Sequence, residues 1–320
     1  MVKVAIVSAS SQLAREVIDK LVETKKHEII ALIRKDPTQY PSLPGVKWTQ
    51  TTYQDKSELV RLFKGVEVVL CFFPVHLDPG NATQKRIIDA AVEAGVKRFA
   101  PSEWAAGEKL EDSLDAIPWY TGKVEVRHYL KDLNKDKKVI EYTKFHVGSF
   151  LDYLGHPLKS PKHVKTLPLQ FDFEKQQALL LEGSHDDVVV WTTVEDIAGV
   201  VARAIEYEGE WPAVGGISGS RVTVREMLQL GEAIGRPFTV EWLKKEDIEA
   251  EKQNPETFAK FELHTASPEE FQKFLKFALQ GILIGISRGA YDVTDEWNKI
   301  LPDYKFTQVE EFVKEVWGGK

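Results

Sequence analysis

The sequence predicts an α/β fold: a doubly wound, Rossmann-like parallel sheet, joined to a smaller substrate lobe interleaved with its last strands. Three observations carry that expectation. Strand-like and helix-like segments alternate through the first 150 residues. The strand segments, such as Glu67–Phe73 (EVVLCFF), are near-continuously apolar, as expected of strands covered on both faces. The segments between them repeat their apolar residues at helical spacing, which calls for crossover connections rather than hairpins.

Each element can be justified in order. Val2–Val7 (VKVAIV) is a β-branched run and reads as the first strand. Gln12–Val22 places Leu13, Val17, Ile18, Leu21 and Val22 on one helical face. Glu28–Ile33 (EIIALI) is again strand-like, and a stretch with Pro37, Pro41, Pro44 and Gly45 leads to a third strand at Val46–Thr51. Ser57–Phe63 reads as a short helix and Glu67–Phe73 as a buried strand. Asn81–Glu93 is a helix stopped by Gly95, which suits a left-handed cap. Arg98–Pro101 closes a fifth strand, Tyr120–Leu133 is helical, and Lys138–Tyr142 is strand-like. The expected division is a dinucleotide-binding unit over 1–150 and a substrate lobe over 151–320.

Past Ser149 the alternation loosens. Pro157, Pro161 and Pro168 interrupt a loop, and Ala178–Leu181 and Val188–Thr193 flank a turn-like stretch at Gly183–Asp187. Val194–Ile205 and Val224–Ile234 read as helices, the first with Glu195 and Asp196 in its opening turn and the second ending at Gly235. Phe238–Trp242 reads as a strand. Pro268–Leu283 carries Phe271, Phe274, Leu275, Phe277, Ala278 and Ile282, a broad apolar face that suits core packing or a lid over a pocket.

Composition excludes several classes. Of 320 residues 43% are hydrophobic, enough for a continuous core, and the net charge of −7 is too small for a disordered polyelectrolyte. With 42 Lys and Arg against 49 Asp and Glu, no basic excess favours nucleic acid. One cysteine, Cys71, builds neither a disulfide framework nor a thiolate zinc site, and inside a buried strand it reads as an inert thiol. The eight histidines have no metal-binding spacing, and the serines lack the G-x-S-x-G setting of a hydrolase nucleophile. The apolar run around Val66–Val75 is too short for a bilayer and is broken by Glu67 and Pro74. Met1 leads straight into a strand, so no signal peptide is expected and a soluble, cytoplasmic protein is.

In a doubly wound sheet the ligand crevice lies at the carboxyl ends of the strands. The first strand is followed by Ser8-Ala9-Ser10-Ser11-Gln12-Leu13-Ala14, in the register of G-x-x-G-x-x-G, with Ser8, Ser11 and Ala14 in the three glycine places. Serine hydroxyls and a helix N-terminus still bind anions, so Ser8, Ser10, Ser11, Gln12 and Leu13 are the candidate phosphate turn. The same residues also read as a serine-rich helix cap holding no ligand. Arg34 and Lys35 follow the second strand, where a basic residue meets the 2′-phosphate of NADP, unless they are simply a solvated pair.

Several segments resemble the NmrA-like, isoflavone-reductase-like branch of atypical short-chain dehydrogenases/reductases. The Ser8–Ala14 turn stands where that family has G-A-T/S-G-x-x-G. Arg98-Phe99-Ala100-Pro101-Ser102-Glu103-Trp104 is similar to its R-F-(I/L)-P-S-E-F/W segment, and Lys123–Arg127 to its K-x-x-V-R helix. Tyr142-Thr143 with Gly148, Phe150, Asp152 and Tyr153, and Val194–Ala198, resemble further family stretches. The likeness runs from Met1 to about Gly235. It implies an NADPH-dependent reductase of a small aromatic or conjugated metabolite, or a regulator that senses the dinucleotide without turning it over. Two departures stand out: the glycines are missing, and Trp119 rather than a tyrosine stands four before Lys123. The first leaves open a redox-neutral dehydratase, isomerase or cyclase.

The resemblance makes Lys123 the candidate proton donor or acceptor, against a reading as a surface lysine. Pro101, Ser102 and Glu103 at the end of the fifth strand are candidate cofactor contacts or the start of a turn. Phe72 and Phe73 either face the adenine or nicotinamide or simply pack. His146, Phe150 and Tyr153, with His156 nearby, are candidate walls of the substrate pocket.

Overall fold

The computed structural model describes residues 1–252 and 268–319. The first half contains β1 (Val2–Val7), α1 (Gln12–Thr24), β2 (His27–Ile33), β3 (Val46–Gln50), α2 (Lys56–Phe63), β4 (Val68–Cys71), α3 (Ala82–Glu93), β5 (Arg98–Ala100), α4 (Thr121–Leu133), β6 (Glu141–Tyr142), β7 (Lys144–His146) and β8 (Ser149–Phe150). The second contains β9 (Phe171–Asp172), β10 (Gln177–Leu181), β11 (Val188–Thr192), α5 (Val194–Glu206), β12 (Val214–Gly216), β13 (Ser220–Thr223), α6 (Val224–Ala233), β14 (Thr239–Leu243), α7 (Lys245–Lys252), α8 (Pro268–Ser287), α9 (Glu296–Ile300) and α10 (Val309–Trp317).

Six parallel strands form the main sheet in the order β3-β2-β1-β4-β5-β6, so the winding reverses between β1 and β4. The alternation of side chains explains why these strands are apolar throughout. Val4 and Ile6 join the core under α1 and α5, while Ala5 and Val7 join the core under α2, α3 and α4. The expected strand at Lys138–Tyr142 is shorter and steps sideways at Thr143. The Thr143 N–H bonds Phe99 O at 3.2 Å, whereas the next N–H, of Lys144, bonds Ala213 O at 3.1 Å. The line then continues as β7, which pairs in parallel with β12 from the second half.

The second half builds its own core around Phe171, Phe173, Trp191, Met227, Ile284, Phe312 and Trp317. The turn-like stretch at Gly183–Asp187 is not a hairpin: β10 pairs with β9 and β14, while β11 pairs with β8 and β13. The helix expected at Pro268–Leu283 runs on to Ser287. Its Phe271 and Phe274 side chains lie outside the described residues; Phe277, Leu283 and Ile284 are core, whereas Leu275, Ala278, Leu279 and Ile282 line a cavity. The amphipathic α10 closes this lobe, and the Trp317 indole N–H donates to Leu154 O at 2.8 Å. Cys71 is fully buried, and burial pushes its thiol up to about 12. No helix among the described residues is long and apolar enough to cross a membrane.

Candidate active site

The turn after β1 keeps a glycine-like backbone without the glycine. Ser8 sits at φ +57°, in the left-handed region that costs a non-glycine residue roughly 1–2 kcal/mol. Its N–H is held in place: it donates to Tyr53 Oη at 3.1 Å, and the Tyr53 hydroxyl donates to Leu32 O at 2.8 Å. Leu32 O also takes the Ala9 N–H at 2.9 Å, and the Ser11 N–H closes the turn onto Ser8 O at 2.9 Å. Ser11 occupies the cap of α1, yet its hydroxyl bonds no helix N–H and is buried without a partner. The first N–H groups of α1 lack intrahelical acceptors, and the helix dipole there favours an anion. Backbone N–H groups, an orphaned hydroxyl and an exposed Ser10 fit the phosphates of a dinucleotide. Gln12 is exposed, its side chain accepting from the Lys165 N–H at 3.1 Å, while the Leu13 side chain belongs to the core and leaves only its backbone to the turn. Ser8→Val is expected to lose about 1–2 kcal/mol relative to Ser8→Gly in thermal melts, because a β-branched side chain tolerates this φ least.

Arg34 and Lys35 are exposed at the end of β2, as the sequence places them. The Arg34 guanidinium lies 4.8 Å from the Phe73 ring centre and 5.8 Å from that of Tyr53. Aromatic faces hold it, and among the described residues neither Arg34 nor Lys35 forms an ion pair. Phe73 is thus a buried platform for Arg34, while Phe72, pointing to the opposite face, stacks on Trp104 at 4.4 Å. Both rings are packed, Phe72 being 6% and Phe73 2% exposed.

Pro101, Ser102 and Glu103 are also buried, and the backbone carbonyls of Ser102 and Glu103 hold Lys123. The Ser102 N–H donates to Gln84 Oε1 at 2.9 Å, and Ser102 O accepts from Lys123 Nζ at 2.8 Å. Lys123 Nζ also donates to Glu103 O. The Glu103 carboxylate turns away to Arg127, one turn further along α4: Arg127 Nε reaches Oε1 at 2.9 Å and Nη2 reaches Oε2 at 2.7 Å. Loss of water lowers Lys123 to about 8, the Glu103 charge opposing and the Arg127 charge reinforcing that fall. The expectation of a surface lysine is therefore excluded: Lys123 is 7% exposed.

A cavity of about 660 Å³ opens at the carboxyl ends of β5 and β7, between the sheet and the second lobe. Trp104, Tyr120, Phe150, Tyr153 and Tyr291 give it an aromatic wall, and Leu167, Leu179, Leu275 and Leu279 extend the apolar surface. Asp172 and Glu241 add carboxylates to its lining. Gly148 also lines it; at φ +68° any Cβ there would come within 2.1 Å of Val190 O, so the backbones meet only because the residue is glycine. Phe150 and Tyr153 stand in the wall, but His146 does not. Its ring is buried near Glu103 Oε2 at 3.7 Å and Glu108 Oε1 at 3.6 Å, where loss of water lowers its proton affinity despite both carboxylates. His156 bonds Thr166 Oγ1 at 3.2 Å and is likewise outside the lining. Trp104, Tyr120 and Tyr291 were not singled out for the pocket by the sequence. Only Tyr120 had a usable signal, its place three residues before Lys123 on the same helical face.

The family model described as the NmrA-like family matches residues 2–313. The chain is 27% identical over 239 residues to Oxidoreductase BOA1 of Botryotinia fuckeliana, covering 73% of this chain and 76% of that protein. It is 24% identical over 280 residues to a bifunctional pinoresinol-lariciresinol reductase of Linum album, covering 85% and 78%. Among solved structures, the NADPH-dependent quinone oxidoreductase QOR2 of Escherichia coli, complexed with NADPH, superposes with a TM-score of 0.70 at 21% identity, covering 98% of this chain and 100% of that one. At that identity the likeness speaks for the fold. With a family model spanning nearly every residue and this fold beneath it, the chain belongs to the NmrA-like family, in the company of relatives named oxidoreductases.

Proposed function

We propose that this chain is an NADPH-dependent reductase of a small aromatic or conjugated metabolite. The observation that carries the reading is a buried lysine, lowered to about 8, whose ammonium lies 4.8 Å from the ring of Tyr120 in the wall of an aromatic cavity at the carboxyl end of a parallel sheet. When bound, the dinucleotide supplies the hydride. The Ser8–Leu13 turn would hold its pyrophosphate, and Arg34 with Lys35 its 2′-phosphate. Lys123 keeps a proton in reserve at Nζ, fixed by the carbonyls of Ser102 and Glu103. The apolar walls exclude water, which strengthens every charge interaction inside. A redox-neutral enzyme that has shed the cofactor would have no use for the left-handed Ser8, and strain of this kind is characteristically kept at functional sites.

Titration of the purified protein with NADPH, followed by nucleotide fluorescence, tests the reading. Saturable binding is expected, and Arg34→Ala should weaken NADPH by roughly 10- to 100-fold, the worth of a charge-assisted bond, while leaving NADH unchanged. No saturable signal up to millimolar NADPH would overturn the proposal.

A further inference from the structure

We propose that Tyr120 is a further catalytic residue: its hydroxyl touches the substrate and hands over the proton, with the Lys123 ammonium held against its ring. The inference rests on the reductase reading and deepens it. Tyr120 caps α4, which opens on Thr121, Gly122 and Lys123, and the spacing of three brings the Tyr120 ring to within 4.8 Å of Lys123 Nζ. Tyr120 lines the cavity, whereas Lys123 does not. The Lys123 Nζ lies 4.8 Å from the Tyr120 ring centre and spends its hydrogen bonds on Ser102 O and Glu103 O. Of the three phenols in the cavity wall, Tyr120 alone carries this cation among the described residues. The rings of Trp119 and Tyr120 meet edge to face with centres 5.9 Å apart. Gly122 lets α4 lie close to the preceding loop, since a Cβ there would stand 2.7 Å from Asn81 Oδ1 and 3.2 Å from Val75 Cβ.

The step balances as follows. The substrate gains a hydride from NADPH, which leaves as NADP⁺, and a proton from Tyr120 Oη. The Oη–H bond breaks as the new bond to hydrogen forms on the substrate. The resulting phenolate lies beside the Lys123 ammonium until solvent returns a proton. Burial supports this assignment by pushing Tyr120 up to about 12, which keeps it a neutral donor, and by lowering Lys123 to about 8.

Tyr120→Phe keeps the ring against Lys123 and removes only the hydroxyl. With a panel of small quinones and conjugated ketones, followed by NADPH absorbance, its kcat should fall by about 100-fold or more. Its NADPH affinity, melting temperature and rate of Lys123 labelling by an amine-reactive reagent should match the parent. Tyr120→Ala should raise that labelling rate, because the ring no longer separates the amine from the cavity. Tyr120→Phe activity within threefold of the parent, with Lys123→Met inactive, overturns the Tyr120 assignment and leaves the reductase reading standing. A parent that oxidises NADPH with no member of the panel overturns both.

Discussion

Lys123→Met is expected to lower kcat by roughly two to four orders of magnitude, the usual worth of the groups that carry out a proton transfer, here the Lys123 ammonium and the Tyr120 hydroxyl together, while the protein stays folded. The near-neutral stability follows from two opposing effects. An ammonium that folding lowers from 10.5 to about 8 costs roughly 3 kcal/mol at neutral pH, at about 1.4 kcal/mol per tenfold change in proton affinity. Methionine removes that cost but leaves Ser102 O and Glu103 O without their donor, at about 1–3 kcal/mol for each buried acceptor. Thermal melts of parent and variant should therefore nearly coincide. The pH dependence has a definite sign. Unfolded chain keeps the lysine proton to about 10.5 and folded chain gives it up near 8, so the lysine's contribution to stability improves as pH rises through that window. Activity runs the other way, because the step needs the ammonium. The rate constant kcat/KM should be level below pH 8 and fall about tenfold per pH unit above it, and Lys123→Met should lose that limb. A rate that instead rises through pH 8 would show Lys123 acting as a base.

The main sheet was legible because its signal is periodic. Val4 and Ile6 face one core and Ala5 and Val7 the other, so β1 reads as a strand buried on both sides without any knowledge of its partners. Strand β12 was not legible: Val214-Gly215-Gly216 has no periodicity, and it is a strand only because β7 lies beside it. Side-chain direction was the recurrent blind spot in the site. Phe72 and Phe73 are consecutive, hence on opposite faces, and their partners Trp104 and Arg34 come from distant segments. His146 lies near Phe150 in sequence, yet its ring turns to Glu103 and Glu108. Lys123 was found through a motif, but its burial depends on Ser102 and Glu103, about twenty residues away, which no local pattern reports. At Ser8 the sequence showed the missing glycine; only the backbone shows that the turn kept its shape.

Arg127→Met is expected to cost about 3–5 kcal/mol, the penalty for stranding one partner of a buried ion pair. Glu103 is 1% exposed and its carboxylate has both oxygens on the Arg127 guanidinium. Arg127 also donates to Gly107 O at 3.1 Å and Ala106 O at 3.4 Å, so its removal frees the loop that carries Trp104 and holds Lys123. The melting temperature should fall by several degrees, given about 2–4 °C per kcal/mol in domains of 150–250 residues. Replacing both partners, Glu103→Leu with Arg127→Met, should recover part of the loss, because the Glu103 carboxylate is then no longer buried without its partner. Acid adds an independent check. The Arg127 charge and bonds hold Glu103 well below 4.5 against the cost of burial, so the pair's contribution is complete above about pH 4.5 and is lost as pH falls through the lowered value. Glu103→Gln should remove that acid-sensitive part, giving a protein less stable at neutral pH but flatter in its stability below 4.5. If single and double variants melt alike, the pair is not coupled, and the loop must be held by the carbonyl contacts of Arg127 and Lys123 alone.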